Sequence, residues 1–127
     1  MGIILVSLGG FFGAISRYYV GQSCRRFQKV DFPFGTFIVN ILGSFLLGVV
    51  IGCELTDSIY LLVATGFLGA FTTFSTFTLE LTELMEKDWK KTTIVYLSLT
   101  LVFGFLFFFT GFLIGQIIHL NVFRLFQ

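Results

Sequence analysis

The chain has 127 residues, enough for one domain with little room for a second. Apolar residues make up 56% and charged residues 12%, which excludes the heavily charged surface of a soluble domain and puts the membrane class first. A net charge of +1 supplies no bulk basic field for nucleic acid.

Four apolar stretches are long enough to cross a bilayer, at about 20 residues per helix. The first runs from Gly2 to Gly21. The opening MGIILVSLGG has no positive n-region and no small-residue cleavage site, so it reads as the start of this span rather than a removable leader. Arg17 lies near the span's end, where snorkelling to the interface is the default reading and drawing anions into a vestibule a secondary one. The polar loop QSCRRFQKVD leads to Pro33, which fits the first turn of the second span, Phe34 to Cys53. Asn40 sits inside that span. An amide there must be bonded, and two uses are open: donating to an anion, or bonding a neighbouring helix. A short acidic turn, Glu54 to Asp57, follows.

The third span runs from Ser58 to Leu81 and contains the run Gly66 to Thr78, GFLGAFTTFSTFT. Its five hydroxyls, Thr72, Thr73, Ser75, Thr76 and Thr78, fall within seven residues. Back-bonding to carbonyls one turn earlier, or helix–helix glue, accounts for one or two of them. Five predict a polar path or a helix break between Gly69 and Thr73, which would free carbonyls that membrane depth tolerates only in protein or around an ion or water. Phe74 and Phe77 are three apart and share a helix face, where the positive edges of their rings could meet an anion. Simple packing is the other reading. Glu80 and Glu83 lie toward the span's end and read as interfacial residues.

The charged segment Glu83 to Lys91 leads to the fourth span, Thr92 to His119, long enough to tilt or protrude. Intramembrane glycines such as Gly9, Gly13, Gly48, Gly66, Gly111 and Gly115 predict close helix packing. Cys24 and Cys53 have no CxxC spacing or histidine nearby and read as small apolar residues; His119 reads as interfacial. The sequence shows no metal-site, nucleophile–base or phosphate-loop constellation, which argues against an enzyme.

Four spans put both termini on one side. Arg25, Arg26 and Lys29 share the other side with Lys87, Lys90 and Lys91, which the positive-inside rule makes cytoplasmic.

Three blocks together resemble the Fluc (CrcB-type) fluoride channels: Gly9 to Tyr18 (GGFFGAISRY), Gly35 to Asn40 (GTFIVN) with Gly43-Ser44-Phe45, and Gly66 to Thr78 with Glu80. The resemblance implies an all-α integral membrane fold whose third helix is broken near its middle, assembled as an antiparallel, dual-topology homodimer with two pores. It implies a passive fluoride channel in the bacterial plasma membrane, exporting fluoride and relieving its toxicity. By position, Asn40, Phe74, Phe77 and Ser75 match pore residues, and Tyr96 and Thr100 match polar residues of the fourth span. Gly69 and Thr72 match carbonyls that hold a central structural sodium ion, and Ala70 stands where the family often has a second glycine. The alternative, a small multidrug-type proton-coupled exporter, wants a carboxylate in the first span, and Gly2 to Gly21 has none. The charge count predicts one orientation where the resemblance implies two.

Overall fold

The computed structural model describes residues 1–26 and 32–125. All regular structure among them is helical: α1 (Gly2–Arg26), α2 (Phe34–Gly52), α3 (57–71), α4 (Phe74–Glu86) and α5 (Lys90–Leu125). Within α3, Asp57–Tyr60 and Gly69–Phe71 are α-helical and Leu61–Leu68 is wound as a π-helix. Four helical stretches are long and apolar enough to cross a membrane, α3 and α4 together making the third.

The helices outrun the apolar segments that predict them. α1 continues past Gly21 to Arg26, so Cys24 lies on helix rather than in a loop. The rest of the expected first loop, 27–31, lies outside the described residues. α4 runs on to Glu86, and α5 begins at Lys90 and ends at Leu125, beyond Thr92 to His119. Hydropathy marks the slab that lipid covers, whereas a helix stops where its backbone bonding stops. Pro33 is the residue before α2 rather than its first turn, and its carbonyl accepts the Phe37 N–H at 3.1 Å.

Two tight turns reverse the chain through left-handed residues, Glu54 (φ 48°) and Asp88 (φ 58°). The second is a Schellman closure: Trp89 N–H bonds Leu84 O and Asp88 N–H bonds Met85 O, each at 3.0 Å.

Packing is pairwise, α1 on α3 and α2 on α5. Glycines set both contacts. A Cβ on Gly9 or Gly13 would overlap the carbonyl oxygens of Leu62 or Phe67, and one on Gly66 would lie 2.7 Å from Val6 O. Gly48 and Gly111 interlock α2 and α5 in the same way, against Phe108 O and Phe45 O. Where lipid is as apolar as the side chains, such backbone approach is the main source of helix–helix attraction. Between the pairs lie two buried clusters. One is built on Val39, Val50, Ala64, Leu68 and Phe71, the other on Phe77, Leu84 and Tyr96.

Candidate functional site

The third span changes course at Thr72 and Thr73. Both are extended (Thr72 ψ 158°; Thr73 φ −147°, ψ 119°), α3 stops at Phe71 and α4 starts at Phe74. Asn40 answers the interruption. Its Nδ2 donates to Thr73 O at 3.0 Å, and its Oδ1 accepts from Thr73 N–H at 2.9 Å. One side chain thus stands in for both backbone partners that a continuous helix would have given Thr73. Of the two uses open to this amide, the structure shows the bond to a neighbouring helix; the second hydrogen on Nδ2 stays uncommitted.

The five hydroxyls divide by role. Thr72 and Thr78 back-bond to Leu68 O (2.9 Å) and Ser75 O (2.9 Å). Thr73 Oγ1 caps α4 by accepting Thr76 N–H at 3.2 Å, and donates to Thr76 Oγ1 at 3.0 Å. Ser75 lies exposed with its Oγ 3.3 Å from Thr73 Oγ1.

Two cavities flank this point, and Thr73 is the one residue common to both linings. One, of about 460 Å³, includes Arg17, Thr36, Thr73 and Thr76. The other, of about 340 Å³, includes Asn40, Ser44, Gly69, Thr72, Thr73 and Phe74.

Phe74 and Phe77 do not share one environment. Their ring centroids are 6.2 Å apart, yet Phe74 is 77% exposed and Phe77 is 6% exposed, packed on Tyr96. The expected common face is therefore split, because α4 turns Phe77 into the core just after its first turn. Tyr96 is fully buried and Thr100 is buried, with its Oγ1 back-bonded to Tyr96 O at 2.7 Å.

Glu80 corrects the interfacial reading. It is half-buried between helices, where Thr36 Oγ1 donates to Oε1 and Tyr96 OH donates to Oε2, each at 2.8 Å. Three helices, α2, α4 and α5, thereby meet on one carboxylate. Arg17 lines the larger cavity as a partly buried side chain. His119 Nδ1 lies 3.8 Å from Glu54 Oε2 at the opposite end of the bundle. Both cysteines are free, Cys53 Sγ donating weakly to Gly115 O at 3.5 Å. Among the described residues no three His, Cys, Asp or Glu side chains group as a metal site.

Taken as a whole, the chain is similar to known proteins. The family described as "CrcB-like protein, Camphor Resistance (CrcB)" matches residues 4–112. The chain belongs to the CrcB-like protein family. A "Fluoride-specific ion channel FluC 2" of Bacillus thuringiensis subsp. konkukian is 47% identical to it over 114 residues, covering 90% of this chain and 97% of its own. A "Fluoride-specific ion channel FluC 1" of Geobacillus kaustophilus is 46% identical over 114 residues, 89% and 97% of the two chains. A "Fluoride-specific ion channel FluC 2" of Clostridium acetobutylicum is 39% identical over 117 residues, 92% and 100%. Membership of this family and four spanning helices make the chain a multi-pass membrane protein, and the CrcB-like match takes in every residue from Arg17 to Thr100 named above.

Two residues of this site escape a reading of single motifs, Thr36 and Thr76. Thr36 carried a usable signal: it lies four residues before Asn40, on the same helix face. Thr76 carried none beyond being one hydroxyl among five.

Proposed function

We propose that the chain is a passive fluoride-selective channel that works as an antiparallel homodimer. The observation that carries this reading is the alignment of nine-tenths of the chain with proteins named fluoride-specific ion channels. The geometry supports it. Fluoride is small and strongly hydrated, so leaving water requires several donors at close range. The stretch between the two cavities offers the uncommitted Nδ2 hydrogen of Asn40, the Thr76 hydroxyl and the exposed Phe74 ring edge, with the exposed Ser75 hydroxyl, now turned to Thr73 Oγ1, beside them. Phe77, Tyr96 and Thr100 form the wall behind them, and Glu80 fixes that wall by accepting from Thr36 and Tyr96. An inside-negative potential drives an anion outward by about 2.3 kcal/mol per charge per 100 mV, so no coupled proton is needed.

One chain is too thin to enclose such a path. In the most apolar window of the fourth span only 6% of residues are buried, and in the first only 11%, against 33% in the second. A second copy, inserted in the opposite direction, covers part of this surface and supplies a second pathway.

The structural sodium ion belongs to the same proposal. α3 ends at Phe71; Leu68 O still accepts from Thr72 N–H, and the carbonyls after it lack helical donors. Gly69 is exposed, and a Cβ there would meet nothing closer than Ala64 O at 3.9 Å. Open, oxygen-only donors of this kind fit a hard cation, with Gly69 and Thr72 holding it through their carbonyls. Bound there, it would supply a fixed positive charge between the two copies.

Liposomes carrying the protein are expected to release fluoride at least about a hundredfold faster than chloride, a discrimination of roughly 2.7 kcal/mol. Comparable chloride release, read with ion-selective electrodes, overturns the proposal.

A further inference from the structure

The larger cavity is poorly matched to a monatomic ion. Its volume of about 460 Å³ is in the range of small-molecule sites. Arg17 lines it and makes no hydrogen bond or ion pair among the described residues. The other polar groups with unused capacity are donors too. Thr76 O–H accepts from Thr73 and keeps its own hydrogen, and Gln22 Nε2 gives one hydrogen to Tyr18 OH at 3.4 Å and keeps the second. Tyr18 OH, accepting from Gln22, keeps its hydrogen as well. Thr36 is committed to Glu80, and among the described residues no carboxylate lines the cavity.

Four donors, one of them a guanidinium, around a roomy space select an anion with several acceptor oxygens. A guanidinium fork binds two oxygens of a phosphate at once, which a halide cannot exploit. The level in the membrane agrees. Tyr18 and Tyr19, both exposed and edge-to-face at 5.7 Å, are the aromatic anchors expected at the headgroup level.

From this geometry we infer that the Arg17 cavity is a binding site for a phosphate-class oxyanion, and that its occupant slows fluoride entry. The second clause rests on the fluoride reading above; the first does not. Solution phosphate and a lipid headgroup monoester present the same chemistry to the site.

Binding is read by line broadening of the ³¹P resonance of inorganic phosphate added to detergent-solubilised protein. Broadening is expected with the native chain, at an affinity of roughly 1 mM, and is expected to vanish in Arg17→Gln. Gly21→Leu is the second variant: a Cβ there meets nothing within 4 Å, so the added side chain fills the cavity without a backbone clash. No broadening, or broadening unchanged in both variants, overturns the site. The companion measurement is fluoride efflux from phosphatidylcholine liposomes at constant ionic strength. Inorganic phosphate at about ten times that affinity constant, or phosphatidic acid in the vesicle without it, is expected to slow efflux about threefold or more. Slowing by phosphate identifies the solution source, and slowing by phosphatidic acid the headgroup. Variant-sensitive binding with efflux unchanged in both arms upholds the site and overturns this cavity as the fluoride entrance.

Discussion

Asn40 spans the extended pair Thr72–Thr73 with two hydrogen bonds, and its removal has a calculable consequence. Asn40→Leu leaves the Thr73 N–H and C=O without the partners they have now, at about 1–3 kcal/mol for each buried backbone group. The variant is expected to melt well below the native protein in detergent. Asn40→Asp keeps an acceptor for Thr73 N–H but sets a carboxylate oxygen against Thr73 O, so it should be destabilised as well. An unchanged melting temperature in both excludes the bridging role. The sequence made this amide conspicuous, since a lone Asn in an apolar span must be bonded. It could not say to what, because the partner is backbone 33 residues away whose freedom depends on Thr72 and Thr73 leaving the helix. Asp88 offers the converse test. It occupies the left-handed position of a Schellman closure, where glycine has no Cβ penalty. Its ion pair with Lys90, 3.1 Å and exposed on both sides, is worth little. Asp88→Gly should therefore raise stability by about 1 kcal/mol, a higher melting temperature with fluoride efflux unchanged. A lower melting temperature would show that the side chain contributes more than its backbone strain costs.

At the scale of elements, the four spans were legible because long apolar runs admit one solution in lipid, the helix. Their partners were only half legible. The glycines announced close packing, but not that α1 takes α3 and α2 takes α5, since each helix carries several. The π-wound Leu61–Leu68 left no trace in the sequence, because an i→i+5 pattern has no residue signature that LLVATGFL displays. The pairing makes a prediction that separates glycines by environment. Gly111→Ala would drive a methyl into Phe45 O and so force α2 and α5 apart, at about 1–3 kcal/mol for overpacking. Gly104 lies on the same helix, but its added methyl would meet Ser44 Oγ at an ordinary 3.6 Å. Gly104→Ala should be neutral or gain up to about 1 kcal/mol in helix propensity. Thermal melts of the two variants in one detergent decide. Equal effects would mean that the α2–α5 contact is not set by backbone approach.

The whole molecule poses the question of orientation, on which charge and assembly disagree. Of the eight Lys and Arg residues, Arg17, Arg25, Arg26, Lys29, Lys87, Lys90 and Lys91 fall in or toward the segments that join α1 to α2 and α4 to α5; Arg124 alone lies toward the other end. Taken as a count, that bias holds this end in the cytoplasm. Two of the lysines are locally engaged: Lys90 pairs with Asp88, and Lys87 lies 5.3 Å from the centroid of the Trp89 ring. Neither contact changes the count, since the rule registers Lys and Arg whatever acidic neighbours they have. The argument for two orientations is instead the surface. The spans formed by α1 and α5 leave most of their apolar residues outside the chain's own core, and Gly69 opens outward from the interruption of the third span. A parallel pair would put all of its cationic ends on one face, whereas an antiparallel pair divides them between the two faces. Lys91→Cys, exposed beside the α4–α5 turn, in a Cys24→Ser/Cys53→Ser background, reports the outcome. For the antiparallel dimer, a membrane-impermeant maleimide should label about half of the copies in intact cells, the equal partition of a closed two-fold pair, and the remainder only after permeabilisation. Labelling of none or of nearly all before permeabilisation overturns dual topology and leaves the positive-inside count as the determinant of how this chain inserts.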